Sequence, residues 1–312
     1  MMLGDVYLQE KIQFFAFEAF LRNVLHGLKR LINLLTVSSI LIALTGFFQT
    51  LGGYILLDVP VNYSICFAVF LLTFSIYSAN KLTDMKEDAI NRPDRVEFLA
   101  GREDIILFLS IYSFIISALI TYINDQTALF ILFIPFVASC VYSIRFHPLL
   151  PRLKDIPFVK NIVVGLSWAL VCTLLPLIAS GQYLDRDFIL PAAAVVYLML
   201  VKDFINSTLC DMKDINGDRE SGVKTIPVIL GTKRTRHILL ALNCSLLPLL
   251  LLTRGRIFII YCLLISTEYL FIVAFSESSY PAMMEFFIDG EWLITCLLLY
   301  GTGLVGFSWF AW

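Results

Sequence analysis

Asn80-Lys81-Leu82-Thr83-Asp84-Met85-Lys86-Glu87-Asp88 follows directly on an apolar run, Val61–Ala79. The change is abrupt: a stretch fit to cross a bilayer ends in a cluster of amide and carboxylate groups. A second stretch, Asp211-Met212-Lys213-Asp214-Ile215-Asn216-Gly217-Asp218, closes the apolar run Phe188–Leu209 in the same way. Asn80, Asp84 and Asp88 recur at i, i+4, i+8, and Asp211, Asp214 and Asp218 at i, i+3, i+7. Either spacing places the oxygens on one face of a helix. Carboxylate and amide oxygens suit magnesium, which takes one or two carboxylates and completes its shell with phosphate oxygens and water. One such run is ordinarily a solvated helix end. Two, each closing an apolar segment, point to a shared site where bridging metals hold a diphosphate.

The rest of the chain fits a membrane setting. It is 312 residues long, 59% hydrophobic and 15% charged, with mean hydropathy +0.82. Soluble domains carry about 25% charged residues, and several apolar runs reach the roughly 18 residues that span a bilayer. The expected fold is all-α and polytopic, about nine transmembrane helices in a bundle around a central cavity. The spans read approximately Leu31–Leu56, Val61–Ala79, Ile105–Ile123, Ala128–Ile144, Val159–Ser180, Phe188–Leu209, His237–Leu252, Ile257–Ser276 and Trp292–Trp312. Pro135, Pro176 and Pro248 fall inside spans and are expected to kink them. Residues 1–312 read as one domain: an interfacial N-terminal helix over 1–30, and motif loops over 80–104 and 210–236. The N-terminus is not a signal peptide, because Asp5, Glu10, Lys11 and Glu18 interrupt it. The seven cysteines are scattered, without a CxxC pair, and indicate neither a disulfide framework nor a zinc site. His26, His147 and His237 read as interfacial residues. Nothing resembles a nucleic-acid surface, and no obligatory protein partner is evident.

Charge sets the expected orientation. With this span assignment, all but three of the 23 Lys and Arg residues fall on one side, the exceptions being Arg186, Arg254 and Arg256. The positive-inside rule makes that side cytoplasmic, with both acidic stretches on it. The localisation expected is a multi-pass integral membrane protein, in the plasma membrane if the source is prokaryotic. The connection with Glu277, Glu285 and Asp289 should be cytoplasmic too, yet carries no Lys or Arg. The phrases Asp84-Met-Lys and Asp211-Met-Lys echo each other, as in a parallel internal repeat. Lys86, Arg92, Arg145, Lys154, Arg219 and Lys224 join the acids on the same side, where cations suit a metal-bound phosphate. Tyr142, Asn161, Lys202, Asp203 and Asn206 lie at the same ends of their spans. Glu268, inside the eighth span, is expected to pair within the bundle.

These motifs resemble the UbiA superfamily of intramembrane prenyltransferases. The family's first motif, usually NDxxDxxxD, is matched by Asn80, Asp84 and Asp88. Its longer second motif, DxxDxxxDxxxGxxT, is matched by Asp211, Asp214, Asp218, Gly222 and Thr225. Tyr142-Ser-Ile-Arg145, Lys154 and Asn161 resemble its central loop, and the likeness covers nearly the whole chain. The departure is Lys81, where many members carry Asp. It removes one ligand and adds a cation, so it is either a solvated positive-inside lysine or a charge placed near the diphosphate.

The resemblance implies magnesium-dependent transfer of an isoprenyl chain from a prenyl diphosphate to a lipid-soluble or amphiphilic acceptor such as geranylgeranylglyceryl phosphate. Aromatic acceptors such as dihydroxynaphthoate or homogentisate, or chlorophyllide, are the alternative. A cation-coupled transporter is the rival of another class; acids gathered at one membrane face speak against it. The implied magnesium ligands are Asn80, Asp84, Asp88, Asp214 and Asp218, with Asp211 as a ligand or a base beside them. The five aspartates form the catalytic set. Lys86, Arg92, Tyr142, Arg145, Lys154, Asn161 and Lys224 would hold the substrates.

Overall fold

The computed structural model describes residues 22–143, 156–182, 186–220, 222–276, 279 and 281–303. These residues form helices and connections, without strands. Residues 22–37 form α1. There follow α2 (Ile40–Leu57), α3 (Tyr63–Thr83), the short α4 (Met85–Asn91) and α5 (Pro93–Leu99), α6 (Glu103–Asn124), α7 (Ala128–Ser143) and α8 (Val159–Ala179). The second half holds α9 (Ile189–Lys213), α10 (Ile215–Glu220), α11 (Ile226–Leu230), α12 (Thr232–Cys244), α13 (Gly255–Ala274) and α14 (Pro281–Gly301).

Among the described residues, seven helical segments are long and apolar enough to cross a membrane. They are α2, α3, α6, α8, α9, α13 and the segment that begins with α12. α7 is apolar but shorter, and α14 has the length but carries Glu285, Asp289 and Glu291. Together these match the expected count of about nine.

α6 shows how the lipid setting inverts the usual pattern. Its buried face is Ser110, Ser113, Ser117 and Thr121, while Ile105, Phe108 and Ile123 are more than half exposed. Lipid tails are as apolar as leucine, so helices gain little by hiding leucine and associate through small residues and interhelical hydrogen bonds. Ser117 Oγ accordingly donates to Ala68 O at 2.6 Å and Ser110 Oγ to Ser75 O at 2.7 Å, pinning α6 to α3. α2 packs on α3, α8 and α14. At Gly53 its backbone comes so near α8 that an added Cβ would lie 1.9 Å from Cys172 O.

Three expected spans change shape. The first, Leu31–Leu56, is broken into α1 and α2 at Ser38 and Ser39, where Ser39 has φ 65°. Thr36 and Ser38 turn their hydroxyls back onto Asn33 O and Leu35 O, which competes with helical continuation. The seventh, His237–Leu252, begins earlier at Thr232 and tightens after Cys244 into a 3₁₀ turn, Leu247–Leu252, in which Pro248 cannot donate to an α-helical ladder. The ninth, Trp292–Trp312, is α14. It starts at Pro281, so Glu285 and Asp289 lie in a packed helix and not in a connection. Hydropathy misplaced it because three acids, Glu285 and Glu291 buried and Asp289 partly so, dilute its apolar signal. Residues 1–21 of the expected interfacial helix, and 304–312 of the ninth span, lie outside the described residues.

Candidate active site

The two acidic stretches are helical, as their spacing requires for a shared face, though they belong to segments 80–104 and 210–236 expected as loops, and they share one design. α3 ends at Thr83 with Asp84 at the junction before α4; α9 ends at Lys213 with Asp214 at the junction before α10. The junctions have nearly the same backbone, φ −103°, ψ 13° at Asp84 and φ −94°, ψ 7° at Asp214. Hydrogen bonds four residues apart continue through both: Asp84 N to Asn80 O, Asp88 N to Asp84 O, Asp214 N to Cys210 O and Asp218 N to Asp214 O. That continuity keeps each arm's acids on one side. The structural counterpart of Asp84 is therefore Asp214. The echo of Asp84-Met-Lys with Asp211-Met-Lys is out of register by three residues. The arms touch where Gly217 N donates to Asn91 Oδ1 at 3.0 Å; a Cβ on Gly217 would meet that oxygen at 2.3 Å.

Between the arms and below them lies a cavity of about 320 Å³, lined from α2, α3, α7, α8, α9 and α14. Asn80, Asp84, Asp88, Asp211 and Asp214 line its polar end. Asp218 is not on the lining but is buried close enough to feel the charges of Lys160, Asp211 and Asp214. Ile76, Tyr77, Val164, Trp168, Ile288 and Trp292 supply apolar wall. Tyr77 and Trp168 stack at 6.2 Å, offering ring faces that stabilise a passing positive charge. The shape suits a molecule with an anionic head and an apolar tail.

The cations are not all where they were expected. Asn161 lies at the site: its Nδ2 donates to Asp211 Oδ2 at 2.9 Å and to Ser207 Oγ at 3.0 Å, so it aims Asp211. Lys86 and Lys224 are exposed and off the cavity lining. Arg92 is buried and also off the lining. Its guanidinium is taken up by Asp94 and Glu285 and by the Asn33 and Thr36 oxygens. The Tyr142 side chain, Arg145 and Lys154 lie outside the described residues.

Three cations passed over as topology residues take the places nearest the acids. Lys160 Nζ donates to Asp211 Oδ1 at 2.5 Å. Arg95 grips both oxygens of Asp88, at 2.8 and 3.1 Å. Lys213 lies 3.1 Å from Asp214 Oδ1. Glu285 of α14 fastens the group, accepting from Arg92, from Arg95 at 3.0 Å and from Lys213 at 2.7 Å. Lys160 and Lys213 carried a sequence signal, because they adjoin Asn161 and Asp214. The Glu285 contacts are tertiary and had none.

Lys81 is not the solvated lysine of the first alternative, and it lies on the lining of the cavity with the acids. It is buried, and its ammonium donates to Thr36 O at 2.7 Å and Val37 O at 3.1 Å. A cation on the last carbonyls of α1 satisfies groups the helix leaves open and complements its dipole. Glu268 does pair within the bundle: Lys202 Nζ reaches it at 2.5 Å and Glu291 at 2.7 Å.

The charge balance differs between the arms. Burial leaves the Asp88 carboxyl above its ordinary range, with Arg95 opposing. Burial pushes Asp218 up to about 7, with Lys160 opposing and Asp211 and Asp214 adding to the rise. Asp218 Oδ2 and Asn206 Oδ1 are buried oxygens that accept no hydrogen bond among the described residues. Also among the described residues, no three carboxylate, imidazole or thiol groups converge on one point closely enough to hold an ion alone. A divalent ion here would have one or two carboxylates and take its remaining ligands from phosphate and water, the habit of magnesium. The donor set, all oxygen with buried acceptors in need of a partner, fits that ion.

Comparison with known proteins agrees with this geometry. Residues 35–285 match the model of the UbiA prenyltransferase family. Among curated proteins, the digeranylgeranylglyceryl phosphate synthase of Sulfolobus acidocaldarius is 28% identical over 56% of this chain, and the match spans 60% of that protein's length. The enzyme of the same name from Natronomonas pharaonis is 26% identical over 67% of this chain and 74% of its own. Among solved structures, a UbiA homolog from Archaeoglobus fulgidus bound to DMAPP and Mg2+ aligns with TM-score 0.58 at 17% identity, covering 88% of this chain and 97% of that one. At that identity the likeness is one of fold.

Proposed function

The chain belongs to the UbiA prenyltransferase family, and from that premise we propose that it alkylates a membrane-borne acceptor with an isoprenyl chain taken from a prenyl diphosphate. The observation that carries this reading is the meeting of two carboxylate arms at the polar end of an apolar cavity. The acceptor proposed is geranylgeranylglyceryl phosphate or a close amphiphilic alcohol, in keeping with what the relatives are named for.

In this reading Asn80, Asp84, Asp211, Asp214 and Asp218 hold magnesium, with Asp88 shared between metal and Arg95. Held by these residues, magnesium would supply positive charge to offset the leaving diphosphate. Lys160, Arg95 and Lys213 add positive charge on the same side of the leaving group. Asn161 and Lys160 fix the Asp211 carboxylate before substrate arrives, so little reorganisation is needed in the reaction. Trp168, Tyr77 and the aliphatic wall keep water from the electron-poor allylic carbon. The tail lies in the apolar part of the cavity. Arg145, Lys154 and Tyr142 are assigned to diphosphate binding on the motif resemblance alone, and the arms are assigned to the cytoplasmic side of the plasma membrane.

The test is turnover. Purified protein with magnesium and geranylgeranyl diphosphate is offered geranylgeranylglyceryl phosphate or an aromatic acid. The expected product is the dialkylated glycerol lipid. Prenylation of the aromatic acid alone would overturn the acceptor assignment, and diphosphate release with neither acceptor would overturn the transferase reading.

A further inference from the structure

Alkylating an alcohol releases a proton as well as diphosphate, and the arms account only for the diphosphate. A carboxylate the mechanism has not used lies farther down the cavity. Asp203, on α9, lines it and is half-buried. Its Oδ2 accepts from Gln49 Nε2 of α2 at 2.8 Å, and Oδ1 accepts no hydrogen bond among the described residues. No Lys or Arg among those residues pairs with it. Its neighbour Lys202 is turned to the other side of α9 and held by Glu268 and Glu291. An acid kept inside an apolar bundle without an ion-pair partner is costly to maintain, and such residues are usually tied to function.

We infer that Asp203, oriented by Gln49, is the base that takes the proton from the acceptor hydroxyl; this rests on the transferase reading above. The position fits the order of atoms in a displacement. Asp203, Ser207 and Asp211 stand at i, i+4, i+8 on α9, which places Asp203 about 12 Å below Asp211 along the axis. Leaving oxygen, allylic carbon and incoming oxygen follow in line at near-attack spacings of about 3 Å. A base within hydrogen-bond reach, about 3 Å, lies just beyond. Counting from carboxylates that hold the diphosphate, the base belongs roughly two to three helical turns away, on the side of the cavity opposite the leaving group. Asp289, the other unassigned acid on the lining, sits instead among the charges of Glu285, Lys213, Lys81 and Arg95. In the step, the acceptor oxygen forms its bond to the allylic carbon, and the carbon–oxygen bond to diphosphate breaks with its electron pair on the diphosphate. The hydroxyl proton passes to Asp203 Oδ1. The site therefore selects acceptors that present an O–H group below the diphosphate.

The experiment compares wild type, Asp203→Asn and Asp203→Glu in magnesium for geranylgeranyl diphosphate affinity and for transfer to geranylgeranylglyceryl phosphate. Asp203→Asn is expected to bind the diphosphate within about twofold of wild type and to transfer about a hundredfold more slowly. Asp203→Glu should recover part of the rate. An acceptor with a thiol in place of the hydroxyl, which ionises unaided near pH 8.5, should react with Asp203→Asn almost as fast as with wild type at alkaline pH. Transfer by Asp203→Asn within threefold of wild type, or a parallel loss of diphosphate affinity, overturns the inference alone. A wild type that transfers to no acceptor overturns the transferase reading and the inference with it.

Discussion

The two carboxylate arms have the same backbone and opposite company. In the first, Asp88 is held at both oxygens by Arg95. In the second, Asp218 keeps a buried oxygen without a partner among the described residues, and its carboxyl is pushed up to about 7 by burial. A helix that stops at an aspartate and restarts places acids in a repeatable way. What each acid can then do is set by the charges that neighbouring helices bring. The protein partly neutralises both arms, with Arg95 on Asp88 in the first and Lys160 and Lys213 on Asp211 and Asp214 in the second; among the described residues Asp218 is the acid of the second arm without an ion pair.

The largest effect expected comes from removing what both arms share. Glu285 receives Arg92 and Arg95 beside the first arm and Lys213 beside the second. Truncating one partner of a buried ion cluster leaves unpaired charge and costs about 3–5 kcal/mol. Glu285→Gln should therefore lower the thermal midpoint in detergent and bring down both arms together. An unchanged midpoint would mean that the arms stand without α14.

A smaller contrast separates the arms themselves. Asp218→Asn should raise the magnesium needed for half-maximal turnover about tenfold, equivalent to about 1.4 kcal/mol. Asp88→Asn should raise it less, because Arg95 already satisfies that carboxylate. Equal shifts would show that Arg95 gives way to the metal and that the asymmetry ends when substrate binds.

How much the sequence disclosed follows from where each determinant is encoded. The arms were legible because their spacing is local and acids in so apolar a chain stand out at helix ends. Asn80, Asp84, Asp88, Asp211, Asp214 and Asn161 all reach the site by such short-range patterns. The neutralising cations were misjudged because every Lys and Arg on that side satisfies the positive-inside rule equally well. Arg92 reads like a phosphate ligand and is a strut; Arg95, three residues on, faces the acids. Lys81 was out of reach for the same reason, since its partners are the carbonyls of a helix some 45 residues earlier. α14 began eleven residues before its hydropathy did, because Glu285, Asp289 and Glu291 face the bundle and not the lipid.

The central claim is that both arms act together on one metal-bound diphosphate. Calorimetric titration of geranylgeranyl diphosphate into wild type, Asp84→Asn and Asp214→Asn, each with magnesium and with EDTA, addresses it most directly. The expected result is binding to wild type that requires magnesium and the loss of that magnesium-dependent part in either variant alone. Wild-type affinity retained in EDTA, or magnesium-dependent affinity retained in one of the two variants, would contradict it.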